Sequence, residues 1–129
     1  MVWYILAALL LLLIQGGLIG SLLTSQVGSS NQMGNRDTLP EPTVELGRAR
    51  RAMTNFQETL PIFLTVSVLL IVFRIDWWLV HLGAILYLAG RVGHLFCYMK
   101  GLTPWRSIAF GVAMAGIFCL TGALIAGIV

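Results

Sequence analysis

The residues best equipped for chemistry open the second apolar segment of the chain, Arg48-Ala49-Arg50-Arg51-Ala52-Met53-Thr54-Asn55-Phe56-Gln57-Glu58. Three arginines, an asparagine and a glutamate lead directly into a run apolar enough to span a membrane. Ionisable groups at such a depth are costly, so they usually face a bundle interior or a wet cavity and mark a functional site. On a helix advancing about 100° per residue, Arg48, Arg51, Asn55 and Glu58 fall within roughly 80° of one another. Arg50 points the other way and Thr54 lies on the shoulder. A second set stands in the third segment, where Arg91, His94 and Tyr98 occupy one face within roughly 60°. Arg106 and Ser107 open the fourth.

Depth links the two sets. At about 1.5 Å per residue, Glu58 lies roughly 14 Å beyond Arg48, and Arg91 roughly 14 Å before Lys100 on the same side. An acid and a base at equal depth in facing helices should pair, since either alone in hydrocarbon is expensive. The spacing therefore predicts a Glu58–Arg91 ion pair, with Asn55, His94 and Tyr98 nearer the mouth. A polar lock that merely fixes helix register would explain that pair by itself. It explains the rest less well. Arg48, Arg51, His94, Tyr98, Lys100 and Arg106 crowd one mouth with little acid to neutralise them. Such a pocket implies an anionic ligand, and arginine supplies forked donors suited to carboxylates. Arg106 sits in the first turn of its segment, where helix N–H groups add positive potential. A thiolate placed there would be stabilised by the surrounding charge.

The elements that must position these groups are four apolar spans. Of 129 residues, 58% are hydrophobic and only 10% charged, and the mean hydropathy is +0.90. A soluble domain carries about 25% charged residues, so this is an all-α integral membrane protein with one domain, 1–129, and a four-transmembrane-helix bundle as its fold class. The spans are expected at about 2–23, 44–73, 77–100 and 105–128, since roughly 20 apolar residues cross a bilayer. The first has neither the basic start nor the short core of a signal peptide. Its Gly16 and Gly20, and Gly111/Ala115 and Ala123/Gly127 in the fourth, are spaced for close helix packing. Residues 24–43, rich in Ser, Asn, Gly and Gln, read as an exposed loop of about 20 residues. Thr43 is placed to cap the second helix and Pro61 to kink it. Thr103 is placed as the cap of the fourth, with Pro104 at its first position.

The first and third connections hold Arg36, Arg48, Arg50, Arg51, Lys100 and Arg106, whereas the second holds only Arg74. The excess of positive charge on cytoplasmic loops then puts connections one and three in the cytoplasm and both termini outside. The short termini and lack of a targeting signal lead one to expect a bacterial inner membrane. The net charge of +3 is too small and too scattered along segment ends for nucleic-acid binding. Cys97 and Cys119 lie in apolar runs and suggest neither a disulfide nor a metal site. His81, near the outer end of the third segment, reads as an interfacial or packing residue.

Taken together, Arg48-x-x-Arg51-Ala52-x-x-Asn55-x-x-Glu58-x-x-Pro61, Arg91-x-x-His94-x-x-x-Tyr98 and Pro104-x-Arg106-Ser107 resemble the MAPEG family, membrane-associated proteins in eicosanoid and glutathione metabolism. The likeness is to its microsomal glutathione transferase and prostaglandin E synthase branches. It implies a homotrimer of four-helix subunits with glutathione, as co-substrate, in a cationic, cytoplasm-facing pocket between them. Arg48, Arg51, Asn55, Glu58, Arg91, His94 and Tyr98 would hold the tripeptide. Arg106 would stabilise the thiolate and Ser107 would assist. A lipophilic electrophile or hydroperoxide would arrive from the surrounding lipid, making the protein a transferase or peroxidase. Two other readings compete. One is a non-enzymatic membrane protein that binds an anionic lipid, or glutathione without turnover. The other is a small multidrug transporter, which would want an essential acid in the first span, where there is none.

Overall fold

Long uncharged runs cannot leave backbone N–H and C=O groups unpaired in a lipid environment, and the helix satisfies them locally. A computed structural model describes residues 1–129 and contains four helices and no strand: α1 (Val2–Met33), α2 (Val44–Val72), α3 (Trp78–Lys100) and α4 (Thr103–Ile128). All four are long and apolar enough to cross a membrane, so the chain is a multi-pass integral membrane protein.

Only 28 of the 129 residues are buried within the chain. The outer surface instead presents large apolar side chains such as Leu13, Phe118 and Val92. Such a surface belongs against lipid or other apolar protein rather than water. The core lies between α2, α3 and α4, where Phe56, Phe63, Tyr87, Ile117 and Leu120 meet, with Ala8 and Leu11 of α1 on its flank. Tyr87 stacks on Phe63 with ring centroids 4.2 Å apart.

The α3–α4 contact is the closest in the bundle, and glycine makes it so. A Cβ on Gly90 would stand 2.5 Å from the Ala113 amide nitrogen, and one on Gly116 would stand 2.5 Å from the Gly83 carbonyl oxygen. Close backbone approach between membrane helices uses small residues in this way. Of the spacings expected in α4, Gly111 has open space beside it, whereas Ala123 is buried in the core and a Cβ on Gly127 would stand 2.5 Å from the Ile75 side chain. Helix contacts depend on which face turns inward, and i,i+4 spacing alone does not determine that.

Residues 24–43 depart from a single loop. Helix α1 continues to Gly28, whose φ of 80° and ψ of 160° interrupt it, and a second helical piece runs on to Met33. The Gln32 side chain donates to the Gly20 carbonyl at 3.2 Å and also contacts the Thr24 hydroxyl. In a straight helix positions 20 and 32 would lie about 18 Å apart, so the chain doubles back at Gly28. Thr24 and Ser25 donate to the carbonyls of Gly20 and Leu22. Back-bonding of this kind keeps polar side chains compatible with helix, which composition alone does not reveal.

Thr43 caps α2 by accepting from the Leu46 amide at 3.3 Å. Helix α2 runs unbroken through Pro61. Gly101, at φ 71°, ends α3 in the left-handed conformation that glycine adopts without steric cost. Helix α4 then starts at Thr103, and Leu102 takes the cap position in place of Thr103.

Candidate functional site

The first turns of α2, the last turns of α3 and the first turns of α4 converge at one end of the bundle, here the Arg106 end. Two adjoining cavities open there. One, of about 170 Å³, is lined by Arg48, Arg51, Cys97, Tyr98, Thr103 and Arg106, among others. The second, of about 230 Å³, is lined by Asn55, His94, Tyr98, Arg106, Ser107 and Phe110. Tyr98 and Arg106 belong to both. The Arg106 guanidinium lies over the Tyr98 ring, 4.8 Å from its centroid, and that of Arg51 lies 6.0 Å from the same centroid. A cation over an aromatic face is held electrostatically, so Tyr98 fixes two arginines at the mouth.

No carboxylate lines either cavity. Arg48 has a second duty, since its Nη1 donates to the Met99 carbonyl at 3.3 Å. The last carbonyls of a helix lack partners within it, so Arg48 both lines the cavity and caps α3. His94 is 5% exposed, and its ring packs edge-on against Tyr98 with centroids 5.2 Å apart. Ser107 is exposed beside Arg106.

Arg91 stands apart from these. It is 2% exposed and lines neither cavity. Its Nη1 donates to Asn55 Oδ1 at 2.9 Å, and its Nη2 donates to the Asn55 carbonyl at 2.6 Å and to Thr59 Oγ1. Its Nε has no partner. The rings of Phe56, Phe110 and Tyr87 surround the guanidinium at 5.5, 5.6 and 5.9 Å. Thr59 donates its own proton to the Phe56 carbonyl, so it accepts both from Arg91 and from the Tyr87 hydroxyl at 3.3 Å.

The ion pair expected between Glu58 and Arg91 does not form. Glu58 is exposed, no cation of the chain lies within 4.0 Å of it, and the one close acid–base contact in the protein, Asp76 with His81, is elsewhere. Rotation about the helix axis is the reason. Asn55 and Thr59, one turn apart, face α3, and Glu58 is turned about 100° from Thr59. Glu58 reaches the guanidinium only indirectly, by accepting from Asn55 Nδ2 at 3.5 Å while the Oδ1 of that amide accepts from Arg91.

Thus Arg48, Arg51, Asn55, His94, Tyr98, Arg106 and Ser107 line one continuous mouth, Arg91 lies beneath it and Glu58 lies outside it. Thr59, Tyr87 and Phe110, outside the motifs of the sequence, take part in the site or its floor, and Cys97, which reads in sequence only as a residue of an apolar run, lines the first cavity. Tyr87 carried a signal, because it extends the Arg91–His94–Tyr98 stripe by one further turn. Thr59 likewise stands one turn beyond Asn55.

The sequence model of the MAPEG family matches residues 1–126. No curated protein and no solved structure matches the chain.

Proposed function

The chain belongs to the MAPEG family, and from that premise we propose that it binds glutathione in the double cavity at the Arg106 end and uses it as a transferase or peroxidase on lipophilic substrates. The observation that carries this reading is the cavity pair itself: three guanidinium groups, two of them held over one tyrosine, with no carboxylate among the lining residues. Such a mouth demands an anion. Glutathione brings two carboxylates and a thiol, and arginine forks match carboxylates in geometry and charge.

In this reading Arg51 and Arg48 take the carboxylates, and Asn55, His94 and Tyr98 supply polar and aromatic walls. Arg106 stabilises the thiolate, since nearby positive charge lowers a thiol pKa, and Ser107 donates to the sulfur. Arg91 does not touch the ligand. It is a positioning residue, holding Asn55 through two donors. With an electrophile, the thiolate attacks carbon and the leaving group departs with the bond electrons. With a hydroperoxide, it attacks the terminal oxygen, the alcohol leaves and the sulfenic acid formed is reduced by a second glutathione.

The cavities are small and open at the chain's surface, which favours completion by a neighbouring subunit in a homotrimer. Exposed Glu58, charged yet without a cation inside the chain, suits such an interface. Glutathione entry from the cytoplasm of a bacterial inner membrane fits the positive charge at this end. A non-enzymatic role, with the same mouth holding an anionic lipid, is the second reading, and Arg91, spent on structure, favours it to that extent.

Titration of glutathione into the detergent-purified protein, followed by thiolate absorbance, separates these readings. Saturable binding with a thiolate signal is expected. Binding without thiolate would support the non-catalytic reading, and absence of binding would sink the glutathione site.

A further inference from the structure

At the opposite end of the bundle three elements meet around one imidazole. His81 stands in the first turn of α3. Its Nε2 lies 3.0 Å from Asp76 Oδ1, in the α2–α3 connection. Its Nδ1 lies 3.3 Å from the hydroxyl of Tyr4, in the first turn of α1. The Tyr4 and His81 rings are 5.9 Å apart and inclined at 58°. With side chains 44% and 67% exposed, His81 and Asp76 are within reach of molecules at the membrane boundary.

The order of groups matters. In a neutral imidazole one ring nitrogen donates and the other accepts. A carboxylate at Nε2 favours the tautomer with its proton there, because Asp76 can only accept when ionised. Nδ1 is then left as acceptor for the Tyr4 O–H. A hydroxyl, a base within reach of it and a third group orienting that base make up the arrangement that activates a nucleophile. Beside it lies a cavity of about 250 Å³, which reaches the trio at Asp76 and is otherwise mainly apolar, with Val2, Leu70, Ile71 and Ile75 in its wall and Arg74 at its rim.

We propose that Tyr4, His81 and Asp76 form a second reactive site, in which Tyr4 is the nucleophile, His81 its base and Asp76 the residue that orients His81, and that this site accepts acyl groups from esters with an apolar chain. The Tyr4 oxygen attacks the ester carbonyl carbon while its proton passes to His81 Nδ1. Collapse of the tetrahedral intermediate breaks the bond to the alcohol oxygen, which leaves with the proton from His81. The products are O-acyl-Tyr4 and the free alcohol, with no other reactant required. The neighbouring cavity takes the acyl chain. Nothing in this step draws on the glutathione reading, and the two stand or fall separately.

The test is incubation of the detergent-purified chain with p-nitrophenyl decanoate, following nitrophenolate release and locating the decanoyl group by peptide mass spectrometry. Tyr4 should be acylated at least about tenfold faster than Tyr98, because a positioned base is worth that much or more. His81→Gln should slow acylation of Tyr4 by a similar factor, Asp76→Asn by a smaller one, and Tyr4→Phe should abolish it. The Tyr4 to Tyr98 ratio is read within the unaltered protein, so it does not depend on any variant folding. Equal acylation of the two tyrosines would overturn the proposal. So would an unchanged Tyr4 rate in a His81→Gln variant of native helicity.

Discussion

At the Arg106 end, Arg48, Arg51 and Arg106 border two cavities that no carboxylate lines. At the other end, Asp76 Oδ1 lies 3.0 Å from His81 Nε2 and Tyr4 completes the group. One end thus gathers cations with no acid among them, and at the other a carboxylate, an imidazole and a hydroxyl find partners in one another. An open ring of like charge persists only where solvent or a counter-ion compensates it, while a paired group can remain closed on itself. The difference points to an anion arriving from outside at the first end. At the second, the polar groups already act on one another.

The largest effect should come from beneath the cationic end. Arg91→Ala removes the donors that serve Asn55 and Thr59 and leaves a cavity among Phe56, Tyr87 and Phe110. A loss of about 3 kcal/mol is expected from the unsatisfied acceptors and the void combined. Thermal unfolding in detergent would measure it, and an unaffected midpoint would mean that Arg91 is not the structural residue its contacts indicate.

Arg106→Ala should come next, in function rather than in stability. If Arg106 sets the thiolate, the variant should lose conjugation by roughly tenfold to a hundredfold, about 1.4–2.7 kcal/mol of barrier, while retaining glutathione binding through Arg48 and Arg51. Loss of binding together with turnover would assign Arg106 to the carboxylates instead. On the paired side, Asp76→Asn should cost less than about 1 kcal/mol, because an exposed polar contact contributes little. A larger loss would show that the His81 end holds the bundle together.

How much of this was legible in sequence follows from what each inference required. The helical stripe Arg91–His94–Tyr98 and the arginines in the first turns of α2 needed only periodicity, and the structure brings them to one end. Depth along the helix was equally accessible, which is why Glu58 and Arg91 appeared matched. Rotation about the axis was not accessible, because it depends on which face of α2 packs on α3. Gly90 against Ala113 and Gly116 against Gly83 decide how closely α3 and α4 pack, and no i,i+4 count identifies those pairs across two helices. The reversal of α1 at Gly28 rests on side-chain bonds from Gln32, and the Tyr4–His81–Asp76 group joins three elements far apart in sequence. His81 viewed alone is an ordinary interfacial histidine.

Glu58 gives the smallest expected effect and the sharpest contrast. By composition it is the acid most in need of a partner, since it lies within a membrane-spanning helix. By position it is exposed and accepts a single long hydrogen bond from Asn55. Removing its charge should therefore leave the isolated subunit almost unchanged, and Glu58→Gln should shift stability by no more than about 0.5 kcal/mol, the range for a surface substitution without a special contact. The same variant tests what lies beyond the chain. If a neighbouring subunit supplies the missing cation, Glu58→Gln should weaken oligomer association in light scattering of detergent complexes while leaving the unfolding of the dissociated chain alone. A large loss in the dissociated chain would instead place Glu58 in the Arg91 network, through Asn55, more firmly than a 3.5 Å contact implies.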